Sequence, residues 1–395
     1  DSTNIIQCVF KKEIFEKQWE ILDKLSVESS IEIEGKIKKD DRAITGYEIE
    51  VTKFNIVHLS EEFPLNKDSN IEYLLDKRHL HLRSRKMMAI LKVWSNIFGA
   101  IHEYFRLNNY YEYHSPILQP THGEDGSECF EIPYFGNKTY LGQTWQLYAE
   151  PAIFSLEKIY TISPSFRAEK SVTSRHLTEY WHAEMEIAWA DFKTIINEGE
   201  SLIKHVLKKI LENNQEELEI PERDQTILKA SLNKPFPRMT YDEALKLLKD
   251  KFDMNVEWGK DLRTLEEEKI VSLYDTPVVV THYPRKVKAF YMTVDKTNPE
   301  VVEGCDFLAP EGNGEIIGGS HREWNLNKLI ERLKEQGEDP KDYEFYLDTR
   351  RYGSIPHGGF GLGVERLVRW ICGLSTIKDA IPCLLYTSPS PRDEK

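Results

Sequence analysis

The chain has 395 residues, 40% of them apolar and 30% charged, which is enough for two domains and a large buried core. A formal charge of -14 argues against a general nucleic-acid coat but leaves room for a local basic surface that docks one RNA. Five scattered cysteines without a CxxC pair suggest neither a zinc ribbon nor a disulfide framework and point to a reducing compartment, and no apolar run is long enough to span a membrane.

Residues 1–66 read as a small β domain. IIQCVF is strand-like, KKEIFEKQWEILDKL reads as a helix with an uneven apolar stripe, and IEIEGKIKK and GYEIEVTKFNIVHL read as strands. Residues 67–80 are polar and charged and are assigned as a hinge before a second domain, 81–382. From Met87 to Phe105, apolar residues recur at helical spacing, and the chain then runs into NNYYEYHSPILQP, expected as a strand containing Pro116. Glu124 follows in a Gly-flanked loop, and Gln146 and Ala149 in WQLYAE.

The most loaded stretch is TISPSFRAEKSVTSRHLTEYWHAEMEIAW, 161–189. It predicts two strands joined by a basic loop carrying Lys170, Arg175 and His176. Alternation places Arg167 and Glu169 on one face of the first strand, and His182, Glu184 and Glu186 on one face of the second. A floor of carboxylates and arginine under a basic flap suits a ligand with phosphates at one end and an ammonium at the other. By pattern alone it is equally an antiparallel hairpin with one wet face.

Residues 192–255 are expected to be largely helical, with Thr240 capping TYDEALKLLKDKF. Residues 274–293 predict a strand, a Pro turn and another strand. In EVVEGCDFLAPEGNGEIIGGSHRE, Asp306 and Glu315 flank a Gly-containing turn, a pair of the kind that holds magnesium together with substrate phosphates. In PHGGFGLGVERLVRW the glycines are expected to crowd a turn before a helix. Their spacing, GxGxG, does not meet the dinucleotide-binding fingerprint.

FRAE followed by RHLTEYWHAEMEIA resembles motif 2 of the class II aminoacyl-tRNA synthetases, in the subgroup for aspartate, asparagine and lysine, and most closely its asparagine-specific members. The helix and Pro116 segment resembles motif 1, and PHGGFGLGVERLVRW resembles motif 3. The likeness spans roughly residues 5–382, with three separated motifs in order. It implies an α+β catalytic domain on a mainly antiparallel sheet, behind part of an OB-fold anticodon-binding barrel whose first strands are not in the sequence.

The resemblance also implies roles. Arg167, Glu169, Arg175, His176, Leu177, Tyr180, Glu315, Gly363 and Arg366 would bind ATP, with Arg167 and Arg366 catalytic and Tyr180 opposite Arg366 across adenine. Glu124, Gln146, Glu184 and Arg322 would hold the amino acid, and Asp306 and Glu315 a Mg2+ ion. Pro116 would lie in a homodimer interface. Aspartate-specific members carry a lysine where this chain has Ala149, so the resemblance favours asparagine, with ATP and tRNA(Asn) as the other substrates and the cytoplasm as the setting. Three other readings stay open: an aspartyl enzyme, a tRNA-independent paralogue that makes asparagine, and a non-catalytic binder. The end, CLLYTSPSPRDEK, departs from the family pattern and is expected to be foreign to the fold.

Overall fold

A computed structural model of the chain describes residues 5–121, 129–168 and 175–383. Glu124, Glu169, Lys170 and the chain from 384 onward lie outside the described residues. Two compact units divide the chain, Asp1–Ser84 and Arg85–Lys395.

In the first unit, β1 (Gln7–Val9), β2 (Ser30–Lys39) and β3 (Tyr47–His58) form a sheet in the order β1-β3-β2. β2 and β3 are antiparallel, whereas β1 runs parallel to β3. Phe10, Phe15 and Phe54 pack edge-on or tilted, with centroids 5.4–5.7 Å apart, over buried Val51. The single helix expected after β1 is instead broken into Lys12–Phe15, a 3-10 turn Glu16–Gln18, and Trp19–Leu22. Its apolar residues do not share one face: Phe15 is buried while Ile14 and Ile21 stay exposed. The stretch read as a hinge contains two helical turns, Ile71–Asp76 and Arg78–His81, the first capped by Asn70, whose Oδ1 accepts from the Tyr73 N–H at 2.8 Å.

The second unit is organised on an eight-stranded sheet in the order β10-β11-β12-β13-β14-β9-β8-β4. Its strands are β4 (Tyr111–Glu112), β8 (Lys158–Phe166), β9 (Glu179–Ala188), β10 (Arg238–Thr240), β11 (Val278–Thr281), β12 (Gly304–Ala309), β13 (Gly314–His321) and β14 (His357–Gly363). Only the outer pairs β10–β11 and β4–β8 are parallel. A small antiparallel sheet of β5 (Leu118–Gln119), β6 (Glu131–Tyr134) and β7 (Asn137–Leu141) stands apart.

The expected helices Arg85–Leu107 and Phe192–Asn213 form and pack on each other. Thr240 caps Tyr241–Phe252 in a reciprocal capping box with Glu243. Contacts along β14 show which face the helices take. A Cβ on Gly358 would lie 2.1 Å from Ile195 of helix Phe192–Asn213, while one on Gly359 or Gly361 would strike Glu186 or His182 of β9. Apolar Ala183, Met185 and Ile187 therefore face the helices, and His182, Glu184 and Glu186 face the other way, as the alternation in the sequence requires.

Three expectations are corrected. The glycines of motif 3 lie within strand β14, not a turn, because the polar side chains of β9 fill the space where their own would stand. Pro116 lies between β4 and β5 and not in a strand; without an N–H it cannot extend the ladder. After β11 the second expected strand is replaced by a 3-10 turn, Arg285–Val287, and isolated bridges such as Met292 to Arg322.

Helix Phe192–Asn213 approaches β12 closely enough that a Cβ on Gly199 would sit 2.8 Å from Cζ of fully buried Phe307. Gly199→Leu should lower stability by about 1–3 kcal/mol through overpacking, read as a shifted urea midpoint; an unchanged midpoint would show that this contact has slack.

Candidate active site

The polar face of the β8–β9 hairpin is not wet: His182, Glu184 and Glu186 are 9%, 4% and 1% exposed. Buried carboxylates need partners, and each has them. Glu184 accepts from the Thr144 hydroxyl and from the Trp145 N–H at 2.9 Å. Glu186 receives Nη2 of Arg322 at 2.6 Å and its Nε at 3.2 Å, and Nη1 of Arg322 donates to Ser320 at 2.6 Å. Burial pushes the Glu186 carboxyl up against the opposing pull of Arg322.

Two cavities meet over this floor. One, of about 360 Å³, is lined by Thr144, Gln146, Glu184, Lys288, Asp306 and Arg322 among others. The second is lined by Arg175, His176, Leu177, Tyr180, Gly363 and Arg366. Arg167, His182, Glu315 and Gly361 line both, so they mark the junction. All described residues expected at the ATP site thus fall on the second cavity or the junction, and Gln146, Glu184, Arg322 and Asp306 fall on the first. Pro116 lines neither.

The junction is held from both sides. The Arg167 guanidinium lies 5.7 Å from the Tyr180 ring centroid, within cation–π range. Nη1 of Arg366 donates to the Glu315 carbonyl at 2.7 Å and lies 3.3 Å from its carboxylate. Arg175 pairs with Glu267 of helix Thr264–Val271 at 3.0 Å. Burial, then the charges of Arg366, Arg167 and Arg175, pull His176 down to about 4, so it is neutral at pH 7. His182 is pulled down to about 3, first by burial and then by Arg167.

Asp306 on β12 and Glu315 on β13 converge above Gly318. A Cβ there would lie 2.7 Å from Glu315 Oε1 and 3.8 Å from Asp306 Oδ1. This is a two-carboxylate cradle of the sort that suits Mg2+ shared with phosphates. Lys288 counterbalances it, with Nζ 2.8 Å from Asp306 Oδ2 and 4.0 Å from the Tyr283 ring centroid. Burial alone would lower the Lys288 pKa, but Asp306, Asp261 and Glu315 reverse this and raise it.

Several of these groups were not picked out by sequence reasoning. Lys288 lies in a stretch read only as strand and turn. Glu150, fully buried, gathers Arg350, His357 Nε2 at 2.7 Å, Tyr346 OH at 2.6 Å and Gln146 Nε2 at 3.0 Å. Desolvation works against its charge, yet Arg350 and His357 outweigh it and hold the carboxyl well below the usual range. Its one visible signal is a charge closing the apolar, aromatic run WQLYA. Ala149 packs with Trp145, Ile153, Ile159 and Ala188 in the core.

An antiparallel sheet with an arginine just past one hairpin strand, a second arginine on the helix after a glycine strand, and a carboxylate pair between them is the arrangement that the resemblance to class II synthetases leads one to expect. The family model for class II tRNA synthetases (D, K and N) matches residues 70–383, and the one for the OB-fold nucleic acid binding domain matches residues 1–57. The chain belongs to the class II tRNA synthetases of the aspartate, lysine and asparagine group. It is 46% identical over 383 residues to the asparagine–tRNA ligase of Thermoplasma acidophilum, covering 97% of this chain and 89% of that one. The crystal structure of asparaginyl-tRNA synthetase from Pyrococcus horikoshii complexed with asparaginyl-adenylate superimposes with a TM-score of 0.94 at 45% identity, covering 98% of this chain and 91% of that one. The aspartyl-tRNA synthetase of Entamoeba histolytica gives 0.81 at 25% identity, covering 98% and 83%.

At the rim of the second cavity, Glu365 is fully buried and accepts from the Trp181 N–H at 3.0 Å. Burial pushes its carboxyl up to about 8, whereas an unfolded glutamate titrates near ~4.3. Between those values the folded state keeps a proton that the unfolded state has released, so this group makes stability fall as pH rises. Glu365→Gln should remove that slope, gaining up to about 1.4 kcal/mol per pH unit between pH 5 and 8. Urea midpoints that track the parent at every pH would refute it.

Proposed function

We propose that the protein is an asparagine–tRNA ligase, which activates asparagine with ATP and transfers it to tRNA(Asn). The observation that carries this reading is the meeting of a cavity lined by Glu184 and Gln146 with one lined by Arg175, His176 and Arg366, at Arg167, His182 and Glu315. Asparagine sits in the larger cavity. Glu184 and Gln146 take its ammonium, Arg322 reaches its side chain, and Glu124, outside the described residues, would help to hold the ammonium. ATP lies across the other cavity, with adenine between Tyr180 and Arg366, Glu169 reading its edge, Leu177 and Gly363 against it, and Arg175 and His176 on the outer phosphates.

The asparagine carboxylate then meets the α-phosphorus at the junction. A carboxylate oxygen forms the new bond to phosphorus while the bond to the bridging oxygen of the β-phosphate breaks, and pyrophosphate leaves with that electron pair. Arg167 binds the α-phosphate and neutralises the charge that builds there; no side-chain nucleophile is needed. Asp306 and Glu315 would hold a magnesium ion, which would supply further charge neutralisation on the phosphates. The adenylate is next attacked by the terminal ribose hydroxyl of tRNA, which expels AMP.

The OB-fold unit, residues 1–66 with the linking stretch 67–80, would take the anticodon arm, and the catalytic unit spans 81–382. A homodimer joined through the Pro116 segment and a cytoplasmic setting complete the proposal.

ATP–pyrophosphate exchange without tRNA tests the chemistry. Asparagine should support exchange and aspartate should not, and Arg167→Ala should lose about 10²–10³ in rate with the fold intact. Exchange driven by aspartate alone would overturn the specificity, and a near-normal rate in Arg167→Ala would overturn its role.

A further inference from the structure

Gln146 has one amide, and the two ends of that amide do opposite things. Its NH2 can only donate and its oxygen can only accept. Glu150 Oε1 lies 3.0 Å from Nε2, and an ionised carboxylate can only accept. The NH2 end is therefore committed to Glu150, and the oxygen is left on the far side of the group. Gln146 lines the larger cavity, and with its NH2 turned to Glu150 the oxygen is the end of the amide that can serve that cavity as an acceptor. An ammonium there needs acceptors; the flipped amide would aim two N–H groups at it instead.

We propose that Glu150 is a positioning residue that fixes the Gln146 amide with its oxygen toward the amino-acid cavity, as an acceptor for the substrate ammonium. This rests on the assignment of Gln146 to the amino-acid site made above. Glu150 is itself held in place: it is fully buried, with Arg350, Tyr346 and His357 gathered on its two oxygens. The backbone agrees, since the Gln146 N–H donates to the Thr144 hydroxyl at 3.1 Å and that hydroxyl donates to Glu184. A single hydrogen-bonded chain thus runs from Glu184 through Thr144 and Gln146 to Glu150, with a carboxyl group at each end. In Glu150→Gln the neighbouring amide can offer either end, so Gln146 loses its fixed orientation.

The test is pyrophosphate exchange with purified full-length protein, with KM read separately for asparagine and for ATP. Glu150→Gln should raise KM for asparagine about tenfold or more, the loss expected for one charge-assisted hydrogen bond, with KM for ATP within about twofold. Because Glu150 acts through Gln146, the double variant Gln146→Met/Glu150→Gln should be no worse than Gln146→Met alone. An unchanged asparagine KM in Glu150→Gln, or a double variant showing the product of the two single effects, overturns the positioning role while leaving Gln146 in the site. If Gln146→Met alone binds asparagine normally, the site assignment fails, and this proposal with it. Should Glu150→Gln not fold, Glu150→Asp keeps the charge on Arg350 but draws the carboxylate back from Gln146; the same rise in asparagine KM is expected, and its absence counts against the proposal.

Discussion

Burying carboxylates on a strand face costs several kcal/mol for each that is left unpaired, and the catalytic unit is arranged around meeting that demand. β9 places Glu184 and Glu186 under the cavity, and the rest of the sheet supplies their partners from far along the chain. Arg322 comes from the residue after β13 and Thr144 from the turn before Gln146, while Arg350, on helix Glu344–Arg351, neutralises the neighbouring Glu150. The glycines of β14 belong to the same solution. Side chains at Gly359 and Gly361 would occupy the volume of Glu186 and His182, so a strand of otherwise poor propensity is required beside a strand of buried charge.

This accounts for how one sheet carries two chemistries. Toward β12 and β13 the floor is acidic and held by Lys288, which suits a metal and phosphates. Toward the Thr144–Glu150 segment it is a set of fixed acceptors, which suits an ammonium. Arg167 stands where the two regions join, at the end of β8, and its backbone N–H is bonded to the Thr178 carbonyl at 2.8 Å. Its position is therefore set by hairpin register rather than by a flexible loop.

Much of this was legible in the sequence because the relevant signal is local. The period-two alternation of HAEMEIA placed three polar groups on one face of β9, and Thr240 marked a helix start as its cap. What stayed hidden depends on pairing between distant segments. Arg350 and Arg351 are adjacent and chemically identical, yet Arg350 is buried on Glu150 while Arg351 lies on the surface with Glu344 and Asp348. Lys288 looked like one more charge in PRKVK until β12 brought Asp306 beside it. The motif 3 glycines misled for a related reason: glycine most often signals a turn, and only the side chains of the neighbouring strand reveal that the need here is for space.

The proposed preference for asparagine over aspartate follows from the same charge accounting. The position where the resemblance implies a lysine in aspartate-specific members is here Ala149, packed in the core among Trp145, Ile153 and Ile159. Of the cations on the larger cavity, Arg322 is committed to Glu186 and Ser320, Lys288 to Asp306, and Arg167 is the residue assigned above to the α-phosphate. A second carboxylate on the substrate would enter a site already holding Glu184 and Glu186 with no unspent positive charge beside its side chain, and its desolvation would go uncompensated. A carboxamide carries no charge to desolvate, and it can donate to an acid and accept from an arginine at once. Glu184 and Arg322, both on the larger cavity, offer one partner of each kind, so the neutral side chain is the one that fits without a new counter-ion.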